Sequence, residues 1–140
     1  MLLAGLLAGS ELTSRGIVHP ALWRLAHLEQ VHAEKQMYRR FAMVDPWLMT
    51  ATIAVCISAG VSLEETEASL TLAGGACFAV MLVLTLAGNM PINLRILRWG
   101  DEGNPDEWRR LRRRWDRIHS VRVVLDSAGF ALVAAGAVLF

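Results

Sequence analysis

The sequence predicts an all-α integral membrane protein: a four-helix bundle with a helical cytoplasmic extension, forming one membrane-embedded domain over residues 1–140. Three observations predict it. Hydrophobic residues make up 54% of the chain and charged residues only 19%, with a mean hydropathy of +0.39, so a water-soluble fold would carry more apolar surface than it could bury. Four apolar stretches recur near the length that a bilayer core demands, about 20 residues each. All 14 Lys and Arg residues fall in two blocks, Arg15 to Arg40 and Arg95 to Arg122, with none between them.

The first stretch runs from Met1 to Ser14, apolar but for Glu11, and can extend through Arg15 to Val18 before His19-Pro20. A cleaved signal peptide would place basic residues ahead of its apolar run; here the first is Arg15, so the segment reads as retained. Pro20 to Arg40 repeats polar residues at helical spacing without a Gly, and reads as a helix of its own. Phe41 to Val61 is the second span, broken near its start by Asp45-Pro46, and Leu70 to Gly88 is the third. The short connection between them is acidic, carrying Glu64, Glu65 and Glu67. Gly103, Asn104 and Pro105 make a turn, after which Asp106 or Glu107 opens a basic helix, and Val121 to Phe140 is the fourth span.

Charge sets the expected topology. Under the positive-inside rule both basic connections are cytoplasmic, the acidic loop and both termini lie outside, and Trp47 and Trp99 join the cytoplasmic aromatic belt of what is expected to be a bacterial cytoplasmic membrane. The basic helix Trp108 to Arg117 is expected along the cytoplasmic surface, against lipid phosphates or docking a protein partner or a second copy. A net charge of +1, with acids interleaved among the basic residues, argues against a nucleic-acid partner. Cys56 and Cys77 fall inside apolar spans and read as small hydrophobes. Gly5 and Gly9 form a small-xxx-small pair suited to close helix approach, within the chain or in a dimer.

Ionisable groups at membrane depth need partners or a task, which singles out Glu11. It either pairs with Arg15, its i+4 neighbour, or serves a site. Glu29-Gln-Val-His32 and Asp116-Arg-Ile-His119 each set a carboxylate and an imidazole on one helix face. Two such pairs, with Glu11 as a further carboxylate, resemble the way four-helix bundles hold dinuclear iron or manganese, one carboxylate short and with Asp116 where Glu is standard; copper is the other candidate transition metal. The alternative is two solvated faces with local pairs, Glu29 with His32 and Asp116 with Arg112. His19 reads as a cap or a headgroup contact, while His27 shares a stripe with Trp23, Gln30 and Glu34 that is either solvated or lines a polar cavity. In Asn89-Met-Pro-Ile-Asn93 the proline frees carbonyls at membrane depth, and the two amides can satisfy them or face an oxygenated substrate.

Asn89-Met-Pro-Ile-Asn93, followed by Trp108, Arg114-Trp115, His119 and Arg122 entering a last apolar helix, resembles the signature of the anthrone oxygenase-like small membrane proteins. The resemblance covers the last third to half of the chain and marks Asn89, Pro91, Asn93, Trp115, His119 and Arg122. It implies a four-helix membrane bundle and, for members in aromatic polyketide pathways, oxidation of an anthrone methylene to the anthraquinone carbonyl. His119 is then the expected base, Arg122, Asn89 and Asn93 the groups that stabilise an enolate, and Trp115 a stacking face for a lipophilic substrate. A metal at Glu11, Glu29, His32, Asp116 and His119 is a second route. Otherwise the enzyme is cofactor-free, since no nicotinamide or flavin fingerprint is present. The competing functions are a non-catalytic membrane scaffold and a small transporter; for the latter, one short polar stripe makes no continuous path.

Overall fold

The structure, a computed structural model, describes residues 1–99 and 104–139, so that Gly103 of the expected turn and Phe140 of the expected fourth span lie outside the described residues. The elements in order are α1 (Leu2–Thr13), a π turn (Ser14–Val18), α2 (His19–Leu22), α3 (His27–Gly60), α4 (Glu65–Leu84), a second π turn (Thr85–Asn89), α5 (Met90–Leu97) and α6 (Pro105–Leu139). No described residue is in a strand. Helix α3, the continuous run Glu65–Leu97 and helix α6 are each long and apolar enough to cross a membrane. With the α1–α2 run they form four packed rods.

The boundaries differ from the sequence expectation in a consistent way. The chain breaks at Trp23 to Ala26, where Ala26 is extended, and not at Asp45-Pro46; α3 joins the expected separate helix to the second span. Pro46 sits inside α3 and costs it one backbone bond, leaving the Ala42 carbonyl without its helical donor. Likewise α6 is one helix of 35 residues, because nothing between Trp108 and Val121 interrupts it. Its basic half therefore continues the axis of the span and does not turn to lie along a surface. Asn104 caps it, its Oδ1 accepting from the backbone N–H of Asp106 (2.9 Å) and Glu107 (3.2 Å).

Both π turns stand just before an X-Pro step, His19-Pro20 and Met90-Pro91. The N–H of His19 reaches back five residues to the Ser14 carbonyl, and that of Met90 to Thr85. Each turn inserts an extra residue into a helical ladder and so rotates the next helical segment about the axis, a feature frequent at functional sites.

Two apolar clusters flank a polar layer. One contains Leu7, Met49, Cys56, Phe78, Met81 and Val133, and the other Val31, Tyr38, Ile92, Ile96, Trp108 and Trp115. The buried polar residues Glu11, Asn89, His119 and Arg122 fall between them. Outward, Leu6, Ile17, Trp47, Val55, Val83 and Val124 are exposed, as a lipid-solvated surface requires. Trp47 is exposed, and Trp99 is half-buried against Trp108, with ring centroids 6.0 Å apart.

Close helix approach comes from other glycines than the expected pair. A Cβ at Gly74 would meet Val133 Cγ2 at 2.7 Å and the Gly129 carbonyl at 2.8 Å, so α4 and α6 touch backbone to backbone there. At Gly9 it would meet nothing within 4 Å, and at Gly5 only the Phe130 ring at an ordinary 3.4 Å. Gly74→Ala should therefore lower stability in a detergent denaturation series by about 1–3 kcal/mol, the usual cost of overpacking. Gly9→Ala should be neutral or stabilising by up to roughly 1 kcal/mol through helix propensity. Equal effects at the two positions would contradict this packing.

Candidate functional site

Helix α6 carries the site on one stripe. Its buried positions are Trp108, Arg112, Trp115, His119, Arg122, Asp126, Gly129, Val133 and Gly136, alternating steps of four and three. Only side chains on this seam can face the other three rods at once, and the seam's middle is polar.

In the layer next to the Leu7–Val133 cluster, Glu11 of α1 is 4% exposed and lies between His119 and Arg122. Arg122 Nη2 donates to Glu11 Oε1. The other oxygen, Oε2, is 3.1 Å from His119 Nδ1, at ion-pair distance but off the line of a good hydrogen bond. Arg122 Nη1 also donates to Asn89 Oδ1 at 3.4 Å, and Asn89 Nδ2 donates to the Trp115 carbonyl at 3.2 Å. Trp115 Nε1 donates to Asn93 Oδ1 at 2.8 Å. Both amides thus bridge to α6 and do not satisfy carbonyls freed by Pro91.

The second layer is built on Arg112. Its Nη1 donates to Tyr38 Oη at 2.7 Å and to Glu34 Oε2 at 3.3 Å, and Nη2 faces Asp116 Oδ1 at 3.1 Å. Tyr38 in turn donates to Glu34 at 2.7 Å, and Gln30 donates to its other oxygen at 2.9 Å. Nη2 also contacts Nδ1 of His19, which is 1% exposed and points inward, not to headgroups. The Arg112 guanidinium lies 4.5 Å from the Trp115 ring centroid, a cation–π distance. Trp115 links the layers, its ring 4.7 Å from His19 and 4.6 Å from His119.

A cavity of about 50 Å³ opens between the layers, lined by Glu11, His19, Tyr38, Asn89, Asn93, Trp115, His119 and Arg122, among others. The Nε2 atoms of both histidines and Nε of Arg122 are buried without hydrogen-bond partners. Asp45 also lines this cavity, and Asp126, fully buried one turn beyond Arg122, has neither oxygen hydrogen-bonded.

Of the sequence candidates, Glu11, Asn89, Asn93, Trp115, His119 and Arg122 meet at this cavity, with Asp116 in the neighbouring layer. Glu11 pairs across the bundle and not with Arg15, whose Nε donates to Ser120 at 3.1 Å. Glu29 and His32 do not join: both are exposed, because Val31, Glu34 and Tyr38 set the buried face of α3. The expected set for iron, manganese or copper is therefore not assembled, and no three His, Cys, Asp or Glu side chains among the described residues are grouped to hold a metal ion. The donor chemistry disagrees as well, since a guanidinium faces each of the two carboxylates of that set that do lie near the site, Glu11 and Asp116. Sequence reasoning missed the roles of His19, Arg112, Tyr38 and Asp126. The four-three spacing from Trp108 would have found Arg112 and Asp126.

The family model described as anthrone oxygenase matches residues 35–132. No curated protein and no solved structure matches the chain.

His19 is buried, and the Arg112 guanidinium that faces its Nδ1 has only donors to offer, so the ring is held neutral with its proton on Nε2. Imidazole ¹⁵N shifts of the protein in detergent should report a neutral His19 with its proton on Nε2 from about pH 8 down to pH 4. Titration near the ordinary histidine value would contradict the buried geometry.

Proposed function

The chain belongs to the anthrone oxygenase family, and from that premise we propose that it is a membrane-embedded oxygenase of a lipophilic, polyketide-type aromatic substrate, with His119 as base. The observation that carries the proposal is a buried imidazole with a carboxylate 3.1 Å behind Nδ1 and a free Nε2 at a cavity. Glu11 favours the proton on Nδ1, so that Nε2 presents its lone pair. An anthrone methylene is acidic because its anion is an aromatic phenolate. His119 Nε2 takes one methylene proton, and the Arg122 guanidinium at the cavity wall offsets the anion's charge. The electron-rich carbon then reacts with dioxygen: one oxygen atom becomes the new carbonyl, and the other leaves as water with the two methylene hydrogens.

A three-ring substrate exceeds a cavity of about 50 Å³, so the cavity receives only its central ring, which carries both the methylene and the carbonyl. Ser10, Ser14 and Phe41 border both this cavity and a groove of about 440 Å³ along Gly5, Gly9, Thr13 and Val18. The groove suits the apolar ring body, which reaches it from the bilayer.

His119→Ala should cut anthrone oxidation by at least about a hundredfold, the lower range for loss of a general base, in a protein that still folds. His32→Ala should stay within twofold of the parent, since His32 is exposed and off the site. Full activity in a folded His119→Ala protein would defeat the base mechanism and favour a non-catalytic membrane subunit.

The orientation we propose places both termini and the Glu64–Glu67 turn outside, since the Lys and Arg residues flank the other end of the spans. In a Cys56→Ser, Cys77→Ser background, Glu65→Cys should react with an impermeant maleimide added outside intact cells. Labelling only from the cytoplasmic side would reverse the orientation.

A further inference from the structure

The proposed mechanism leaves the buried imidazole of His19 at the cavity unused. His19 reaches it because the π turn Ser14–Val18 precedes α2, and it lies outside the residues matched by the family. Its Nδ1 meets Arg112 Nη2. A guanidinium has only donors to offer, so Nδ1 must be the unprotonated nitrogen and the ring proton must sit on Nε2. The guanidinium is itself held by Tyr38, Glu34 and Asp116, which leaves the imidazole little freedom to change tautomer. Nε2–H is then a donor, buried, without a hydrogen-bond partner, on a ring that lines the cavity. Such a group is costly unless something accepts from it.

His119 is its counterpart. The two ring centroids are 5.3 Å apart and the rings nearly perpendicular. The carboxylate charge 3.1 Å from His119 Nδ1 favours a proton on that nitrogen, and the guanidinium at His19 Nδ1 excludes one there, so the same cavity is offered a lone pair and an N–H. That combination suits the removal of a proton from carbon while a conjugated carbonyl oxygen takes up the charge.

We infer that His19 Nε2–H is the hydrogen-bond donor to the carbonyl oxygen of an aromatic ketone substrate. The inference rests on the oxygenase reading above. When the C–H bond breaks, its proton goes to His119 and its electron pair delocalises onto the ring oxygen. That oxygen then accepts a stronger hydrogen bond from His19, whose N–H bond stays intact. A neutral donor serves better here than a cation, because it does not compete for the proton that the base must take.

The test uses the full chain in nanodiscs, with anthrone and dioxygen for turnover and anthraquinone as the binding probe. His19→Gln can accept from Arg112 and still donate an N–H, whereas His19→Phe keeps the ring and loses the donor. Expected are a kcat for His19→Phe about 10²–10³-fold below the parent, as for loss of an oxyanion donor, with KM changed little. His19→Gln should recover to within tenfold, with the acid limb of its pH profile unmoved. A folded His19→Phe protein as active as the parent, or a His19→Gln protein as inactive as His19→Phe, would overturn the assignment. Should His19→Phe not fold, the parent decides: adding anthraquinone should shift the His19 Nε2–H resonance downfield, and no shift at saturation would overturn it. Parent protein that leaves anthrone unoxidised defeats the oxygenase reading, while the resonance shift still reports whether His19 receives a ring carbonyl.

Discussion

A guanidinium inside a bundle whose outer surface is solvated by lipid has to be met by an anion or by well-placed acceptors, since no bulk water is at hand. Two such groups, Arg112 and Arg122, sit two to three turns apart on α6, and the remaining rods are arranged about them. Arg122 draws in Glu11 from α1 and Asn89 from the second π turn. Arg112 draws in Glu34 and Tyr38 from α3 and His19 from α2. Removing one partner of a buried pair typically costs about 3–5 kcal/mol, more than most single apolar contacts contribute. The contacts that set the register of the bundle are therefore largely those that line the cavity.

The same pairing differentiates the two histidines. An imidazole takes its role from whatever holds its other nitrogen, and here one is backed by a carboxylate and the other by a guanidinium. Water exclusion strengthens both effects, because the cavity lies between two apolar clusters and is about 50 Å³ in volume. The N-terminal rod supplies Glu11 and His19, so the segment that precedes the family-matched residues completes the site.

Local irregularity is concentrated where the site needs it. Each π turn precedes an X-Pro step, and each ends next to a cavity residue: His19 follows the first, and Asn89 closes the second. Pro46 does comparable work in α3, where it and Ala42 line the cavity beside Asp45. These departures give up regular backbone bonds at membrane depth, which is tolerated only where protein groups surround the freed atoms.

Much of this was legible in the sequence, and the reasons are physical. Apolar length and the two basic blocks announced the membrane rods, and Glu11 stood out because a carboxylate at that depth is costly. Asn89, Asn93, Trp115, His119 and Arg122 were legible as a motif, and the four-three spacing on α6 contained Arg112 and Asp126 as well. The facing of the other rods was not legible. On α3, Glu29 and Glu34 were equally plausible inward carboxylates by spacing; Val31 and Tyr38, packing with Ile92, Ile96 and Trp108, turned Glu34 inward and left Glu29 and His32 outside. On the first rod the extra residue of a π turn rotates everything after it by about 100° relative to a regular helix. No residue pattern in Ser14–Val18 declared that turn. Composition and periodicity thus determined which segments are helices and which polar residues lie at membrane depth, whereas the phase of each helix, and with it the inward placement of His19, was decided only by tertiary packing against the charges of α6.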